Sequence, residues 1–165
     1  MRKTLLIATP LFLLFALVAG SATRGSPDLS KPGTIRVTTR GVEDQYVDRG
    51  LSGLGPGDLR ITRQLVYNPS ITPKAIGHSD LVCTYTASYA RQCSGTFTLP
   101  KGKIVVAGTV TFRQFYELAV IGGTGLYDNV RGSLTVTLVK RNPQREVLIF
   151  RLLVEPEHRN KGSAR

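Results

Sequence analysis

His78 and Asp80 stand two apart in "IGHSDLVCTYT", residues 76–86, flanked by Ile76 and Val82. Residues two apart on a strand share a face. On a cavity wall this imidazole and carboxyl can act as acid and base; on an outer face they are a structural polar pair. Glu117 lies among apolar residues in "FYELAV". Buried there it is a proton donor; turned outward it is a surface charge. Tyr67, Tyr85, Tyr116 and Tyr127 offer aromatic faces to an aromatic or lipid ligand, or serve as core and rim. The second histidine, His158, falls in the polar C-terminal tail. Two lone cysteines, Cys83 and Cys93, are too few for a zinc site of the usual four-ligand kind, so no metal is expected. No G-x-S-x-G is present, and Glu43, Asp44 and Asp48 cluster in one loop-like stretch, so neither a serine hydrolase nor a paired-carboxylate glycosidase is indicated.

The glycines of "IGGTGLYDNVRG", residues 121–132, look at first like a phosphate cradle. A dinucleotide site needs G-x-G-x-x-G opening a helix. Here Gly123-Thr124-Gly125 is followed by Leu126, Tyr127 and Asp128, and then by a strand pattern. Gly122, Gly123 and Gly125 are therefore read as a structural turn, where glycine allows positive φ and close approach of strands.

The elements that must position these residues alternate with period two. Eight segments rich in Val, Ile, Thr, Tyr and Phe are separated by short turn signals: 34–39, 58–68, 76–86, 92–99, 103–112, 115–123, 129–140 and 145–154. Within the second, Leu59, Ile61, Leu65 and Tyr67 are expected to share one face, with Arg63 among them. Glu43 to Gly57, with four glycines and Pro56, is expected to be a loop that gates a pocket or merely connects. The fold class is all-β, an eight-stranded antiparallel barrel, calycin-like, able to hold side chains or one small ligand inside.

Ahead of the barrel, Met1-Arg2-Lys3 precedes the apolar run Leu5–Ala19 and the small residues "GSAT". This is the pattern of a signal peptide. A retained anchor is the alternative, but the run is shorter than the ~20 residues of a span and Pro10 interrupts it. The domains expected are a signal peptide over 1–22, a flexible lead-in over 23–33, the barrel over 34–154 and a polar basic tail over 155–165. The protein is then secreted, to the cell envelope or beyond, with no membrane span after cleavage. The net charge is +11. The basic residues are spread along the chain, so a solvated basic face is weighed against a polyanion site, and no specific nucleic-acid partner is expected. If the hairpin in "CTYTASYARQC" centres near Ser88, Cys83 and Cys93 fall opposite each other and can form a disulfide. A structural staple fits an oxidising compartment better than a redox site, for no Cys-x-x-Cys is present.

"ELAVIGGTGLYDNVRGSLTV", "GPGDLRITRQLVYN" and the strand from Gly77 to Cys83 together resemble the dirigent and allene oxide cyclase superfamily, over about Gly57 to Val139. That resemblance implies an eight-stranded barrel with a hydrophobic cavity and no cofactor. Dirigent proteins steer the coupling of phenoxy radicals; allene oxide cyclases impose the stereochemistry of a ring closure. Arg131 matches the pocket arginine of the dirigent motif, and Cys83 a pocket cysteine of the cyclases. Leu126 stands where dirigents often carry an acid, with Asp128 two positions on. Ile61 and Gln64 replace a proline and an asparagine of the cyclases, and "TIRVTT" lacks their first-strand glutamate. The function expected is binding of a small hydrophobic molecule and steering of its cyclisation or coupling. If the protein is an enzyme it is a cofactor-free isomerase or cyclase. Arg131, Glu117, His78 and Asp80 are the candidate catalytic residues, and the four tyrosines the candidate ligand contacts. A non-catalytic carrier, or a basic surface protein, is the alternative, and the resemblance leaves a homodimer or homotrimer open.

Overall fold

The computed structural model describes residues 33–50, 52–69, 74–111 and 114–154. The expected signal peptide, nearly all of the lead-in, the tail and His158 lie outside them. Eight antiparallel strands follow one another around a closed barrel: β1 Gly33–Val47, β2 Leu59–Tyr67, β3 Gly77–Ala87, β4 Ala90–Leu99, β5 Gly102–Thr111, β6 Phe115–Gly125, β7 Val130–Arg141 and β8 Gln144–Val154. Each pairs with its neighbours in sequence, and β1 closes on β8 from Gly33↔Leu152 to Arg40↔Arg145. Closure leaves no free edge along that length.

Alternation drives the fold. Leu118 and Val120 of β6, Leu134 and Val136 of β7, and Leu148, Phe150 and Leu152 of β8 all point inward and are buried. Phe97 and Phe150 meet edge to face across the barrel, with ring centroids 5.1 Å apart. These side chains fill most of the interior. The hydrophobic cavity implied by the resemblance is therefore confined to one end, because the middle of so small a barrel is packed with its own side chains.

The strand segments agree with the alternation in the sequence, with two corrections. β1 runs on to Val47, so the irregular stretch begins later than Glu43. A bulge between Gly41 and Glu43 shifts the register, and the polar residues beyond it pair with β2 up to Val47↔Leu59. The buried face of β2 is also reversed in part. Gln64 and Val66 are buried, whereas Ile61 is exposed, and Arg60, Thr62 and Gln64 line the interior. Apolar residues lose the inward face of this strand because the barrel end they would face is polar.

At the end where β6 meets β7, Gly125 (φ 64°) takes a left-handed conformation. A Cβ on Gly123 would lie 2.3 Å from the Tyr127 carbonyl oxygen and 2.6 Å from that of Lys103. The glycine turn is thus a close approach of backbones.

Cys83 and Cys93 are directly opposed on β3 and β4 and form a disulfide, with Cα atoms 4.0 Å apart. The bond faces inward, and both cysteines are buried. By the loop-closure argument, replacing both with alanine should lower stability by ~2–3 kcal/mol. Urea unfolding of the double variant against the oxidised protein measures this. An unchanged midpoint would mean that the unfolded chain is already restricted there.

Candidate functional site

Arg60, Thr62, Gln64, Arg91, Tyr116, Gln144 and Glu146 line the interior at one end. There β1, β3, β5 and β7 finish, and the other four strands begin. The hollow beneath this end is only about 30 Å³, room for a water or two. Its floor includes Leu81, Phe97, Leu134 and the Cys83–Cys93 bond. Above it a mouth of about 220 Å³ opens between Arg60, Arg91, Thr111, Tyr116, Leu138, Arg141, Gln144 and Glu146. The mouth thus has an apolar surface below it.

Glu146 is the centre of this arrangement. It is 4 % exposed, although it starts a strand whose later inward residues are Leu148, Phe150 and Leu152. Gln64 Nε2 donates to its Oε2 at 2.9 Å, and Gln144 Nε2 donates to its Oε1 at 2.7 Å. Ser79 Oγ in turn donates to Gln64 Oε1 at 3.4 Å. Both carboxyl oxygens are thus held by side-chain amides from β2 and β8, which fixes the group's direction. Tyr116 lies beside it. Burial, and after it the charge of Glu146, push the Tyr116 phenol well above its ordinary value. It stays an O–H donor at any physiological pH.

The arginines are positioned from outside. Asp44 accepts from Arg60 Nε at 2.7 Å and Nη2 at 2.5 Å, a two-point grip. The hydrogen bond from Arg60 lowers the Asp44 carboxyl, and the same bond raises Arg60. Arg91 lies over the Tyr85 ring, 6.0 Å from its centroid. Arg141 ends β7 at the turn into β8 and is exposed.

The loop between β1 and β2 is tied down by Asp58, which is 1 % exposed. Its Oδ1 accepts from the Arg49 N–H at 2.9 Å. Its Oδ2 accepts from the Gly55 N–H at 2.7 Å and from Tyr46 Oη at 2.5 Å. The backbone bond from Arg49, then the Tyr46 hydroxyl, hold the carboxyl below its usual 3.8. Tyr46 is pushed up to about 12, chiefly by the same bond. Gly57 N–H and Asp58 C=O stitch the loop to Tyr85 at 2.9 and 2.8 Å. The Tyr46 ring packs edge-on against Tyr85, centroids 6.2 Å apart. These bonds tie the described part of the loop to β3.

The residues singled out in the sequence are dispersed. Tyr116 alone among the four tyrosines lines the mouth. Tyr67 is buried away from it under Arg40. Tyr85 supports Arg91, and Tyr127 packs on the core at the opposite end. Arg131 is also at that far end, exposed, donating to the Val130 carbonyl at 3.0 Å. Glu117 is exposed on the outer face. His78 and Asp80 are likewise on the outer face, with Nε2 and Oδ2 3.5 Å apart, and Arg63 Nε binds Asp80 at 2.6 Å. Cys83 does line the hollow, as half of the disulfide. Glu146, Gln144, Arg60 and Arg91 were not among the residues singled out, and Gln64 was noted only as standing where the cyclases have an asparagine. The available signal was parity: Gln144 and Glu146 share it with Leu148 and Phe150.

No protein-family model matches the chain, and no curated protein does. Solved structures do. A pyocyanin demethylase superposes with a TM-score of 0.64 at 25 % identity, over 73 % of this chain and 99 % of that one. A pterocarpan synthase dirigent protein gives 0.59 at 13 % identity, covering 74 % and 83 %. A Diels-Alderase from Streptomyces koyangensis gives 0.59 at 14 %, covering 78 % and 72 %. The chain shares the barrel fold of these dirigent and Diels-Alderase structures. The disulfide fits an oxidising compartment.

Because the Asp58 carboxyl is lowered by folding, its contribution is present above the unfolded value and is lost as pH falls through the folded one. Between pH 6 and pH 3 the wild-type urea midpoint should therefore drop further than that of Asp58→Asn. Parallel drops in the two proteins would remove Asp58 as the loop's anchor.

Proposed function

We propose that the mouth binds a small hydrophobic molecule and steers its cyclisation or coupling in one conformer, without a cofactor. The observation that carries this reading is the buried Glu146, held by two glutamine amides beside Tyr116 and directly above an apolar floor. An apolar body on that floor brings a reacting group to a fixed carboxyl and a fixed phenol. Glu146 can take or give a proton, and Tyr116 can donate a hydrogen bond to developing negative charge. The walls limit the conformers and exclude water from the bound face. The fold shared with dirigent and cyclase barrels supports the steering role. Export, consistent with the disulfide, is part of the same reading.

A second reading is demethylation of a small molecule, favoured by the 25 % identity spanning nearly all of a pyocyanin demethylase. Pyocyanin is accordingly the first compound to assay. A carrier would use the same floor with no need for the fixed carboxyl.

The test is to incubate the purified protein with small-molecule extract and identify retained and altered compounds by mass spectrometry. Thr111→Trp, an exposed change at the rim, should abolish retention while leaving the fold intact. Glu146→Gln should keep retention but lower conversion ~100-fold or more, as loss of a proton-transfer group does. Retention without conversion in the wild type would make the protein a carrier. Retention unaffected by Thr111→Trp would place the ligand elsewhere.

A further inference from the structure

Three cations stand side by side on the outer face of adjacent strands. Lys140 of β7 is opposite Arg145 of β8, which is opposite Arg40 of β1. Neighbouring strands are about 5 Å apart, and like charges placed directly opposite each other destabilise a sheet. No ion pair among the described residues relieves them. The buried Nε of Arg145 has no acceptor. The segment Gly33–Gly41 and all of β7 carry no carboxylate, and the one on β8 with a described side chain, Glu146, faces inward. Of the acids on β1 past the bulge, Asp44 is gripped by Arg60, and Glu43 stands opposite Arg63, which binds Asp80.

Two bulges flank this row. One lies between Gly41 and Glu43, the other between Leu138 and Lys140. Each projects a valine into solvent: Val42 is 51 % and Val139 65 % exposed. Bulges re-aim side chains, and here they set two aliphatic groups beside three cations. A soluble polyanion answers the charges and leaves the valines in water. A bilayer with anionic headgroups answers both.

We propose that this corner docks on an anionic lipid surface. The proposal does not depend on what the mouth holds. It does orient the site: Val42 also lines a side cleft of about 300 Å³ that reaches Arg60 and Gln64 between β1 and the β7–β8 turn. Docking turns that cleft toward the lipid.

The experiment is sedimentation with vesicles, using protein that begins at Thr23 so that the apolar run at 5–19 is absent. Every strand and the β1–β8 closure lie within the retained residues. Binding is expected to phosphatidylcholine vesicles containing a quarter phosphatidylglycerol, not to phosphatidylcholine alone, and to weaken as salt rises. Arg40→Gln with Lys140→Gln should weaken it roughly 10-fold or more. Lys140→Glu alone, an exposed change, keeps the test valid if the pair disturbs the fold. Val42→Ser with Val139→Ser should weaken binding while leaving its salt dependence in place. No binding, equal binding to neutral vesicles, or cation variants that bind like wild type would overturn the proposal. Full displacement by polyphosphate, with the valine variant binding like wild type, would also overturn it and assign the row to a soluble polyanion.

Discussion

The pairing of β1 with β8 is the constraint on which the rest of the structure depends. It closes the barrel, and it stops at Arg40↔Arg145. Up to that point, side chains facing inward have nowhere to go but the core, and they are apolar until Thr39 and Glu146, which stand opposite each other one step before the pairing ends. Beyond it, the bulge at Gly41–Glu43 carries β1 away from the β7–β8 hairpin, and β1 pairs with β2 alone. The interior then opens, and Gln64 and Gln144 join Glu146 in place of aliphatic residues. A barrel paired along the whole of β1 would have no side cleft between β1 and the β7–β8 turn.

The polar residues at the open end support one another from opposite sides of the sheet. Asp58 fixes the β1–β2 loop through Tyr46 and two backbone amides, and that loop is stitched to Tyr85. Tyr85 carries Arg91 on its ring. Asp44, on the stretch of β1 past the bulge, holds Arg60. Two guanidinium groups that would otherwise sample many rotamers are thus placed before any ligand arrives, and the ordering cost is met by folding.

The strands were legible because hydrophobic alternation is strong wherever the core is apolar, as in "SLTVTLV" and "EVLIFRLLV". The disulfide was legible because a hairpin centred near Ser88 sets Cys83 against Cys93. The site was not, and for the same physical reason. Alternation marks burial only where the buried residues are apolar, and those that face inward at the mouth are polar. β2 shows this most clearly: Ile61 looks like core and is exposed, while Gln64 looks like surface and is buried. His78 with Asp80 had the right chemistry, but parity set by Ser79 and Leu81 turns both outward. Arg131 came from a motif whose glycine turn lies at the opposite end of the barrel from the mouth.

That separation of the two ends carries a consequence for how such a protein changes over time. At the closed end, Gly123 leaves no room for a side chain and Gly125 holds a backbone angle that few residues accept. Substitutions there are paid for in folding. At the open end, Thr111, Leu138 and Arg141 touch solvent on one side and the mouth on the other, and no backbone geometry demands them. One rim can therefore be rewritten by substitution while the other stands still, and the chemistry of the open end is separable from the architecture that holds it.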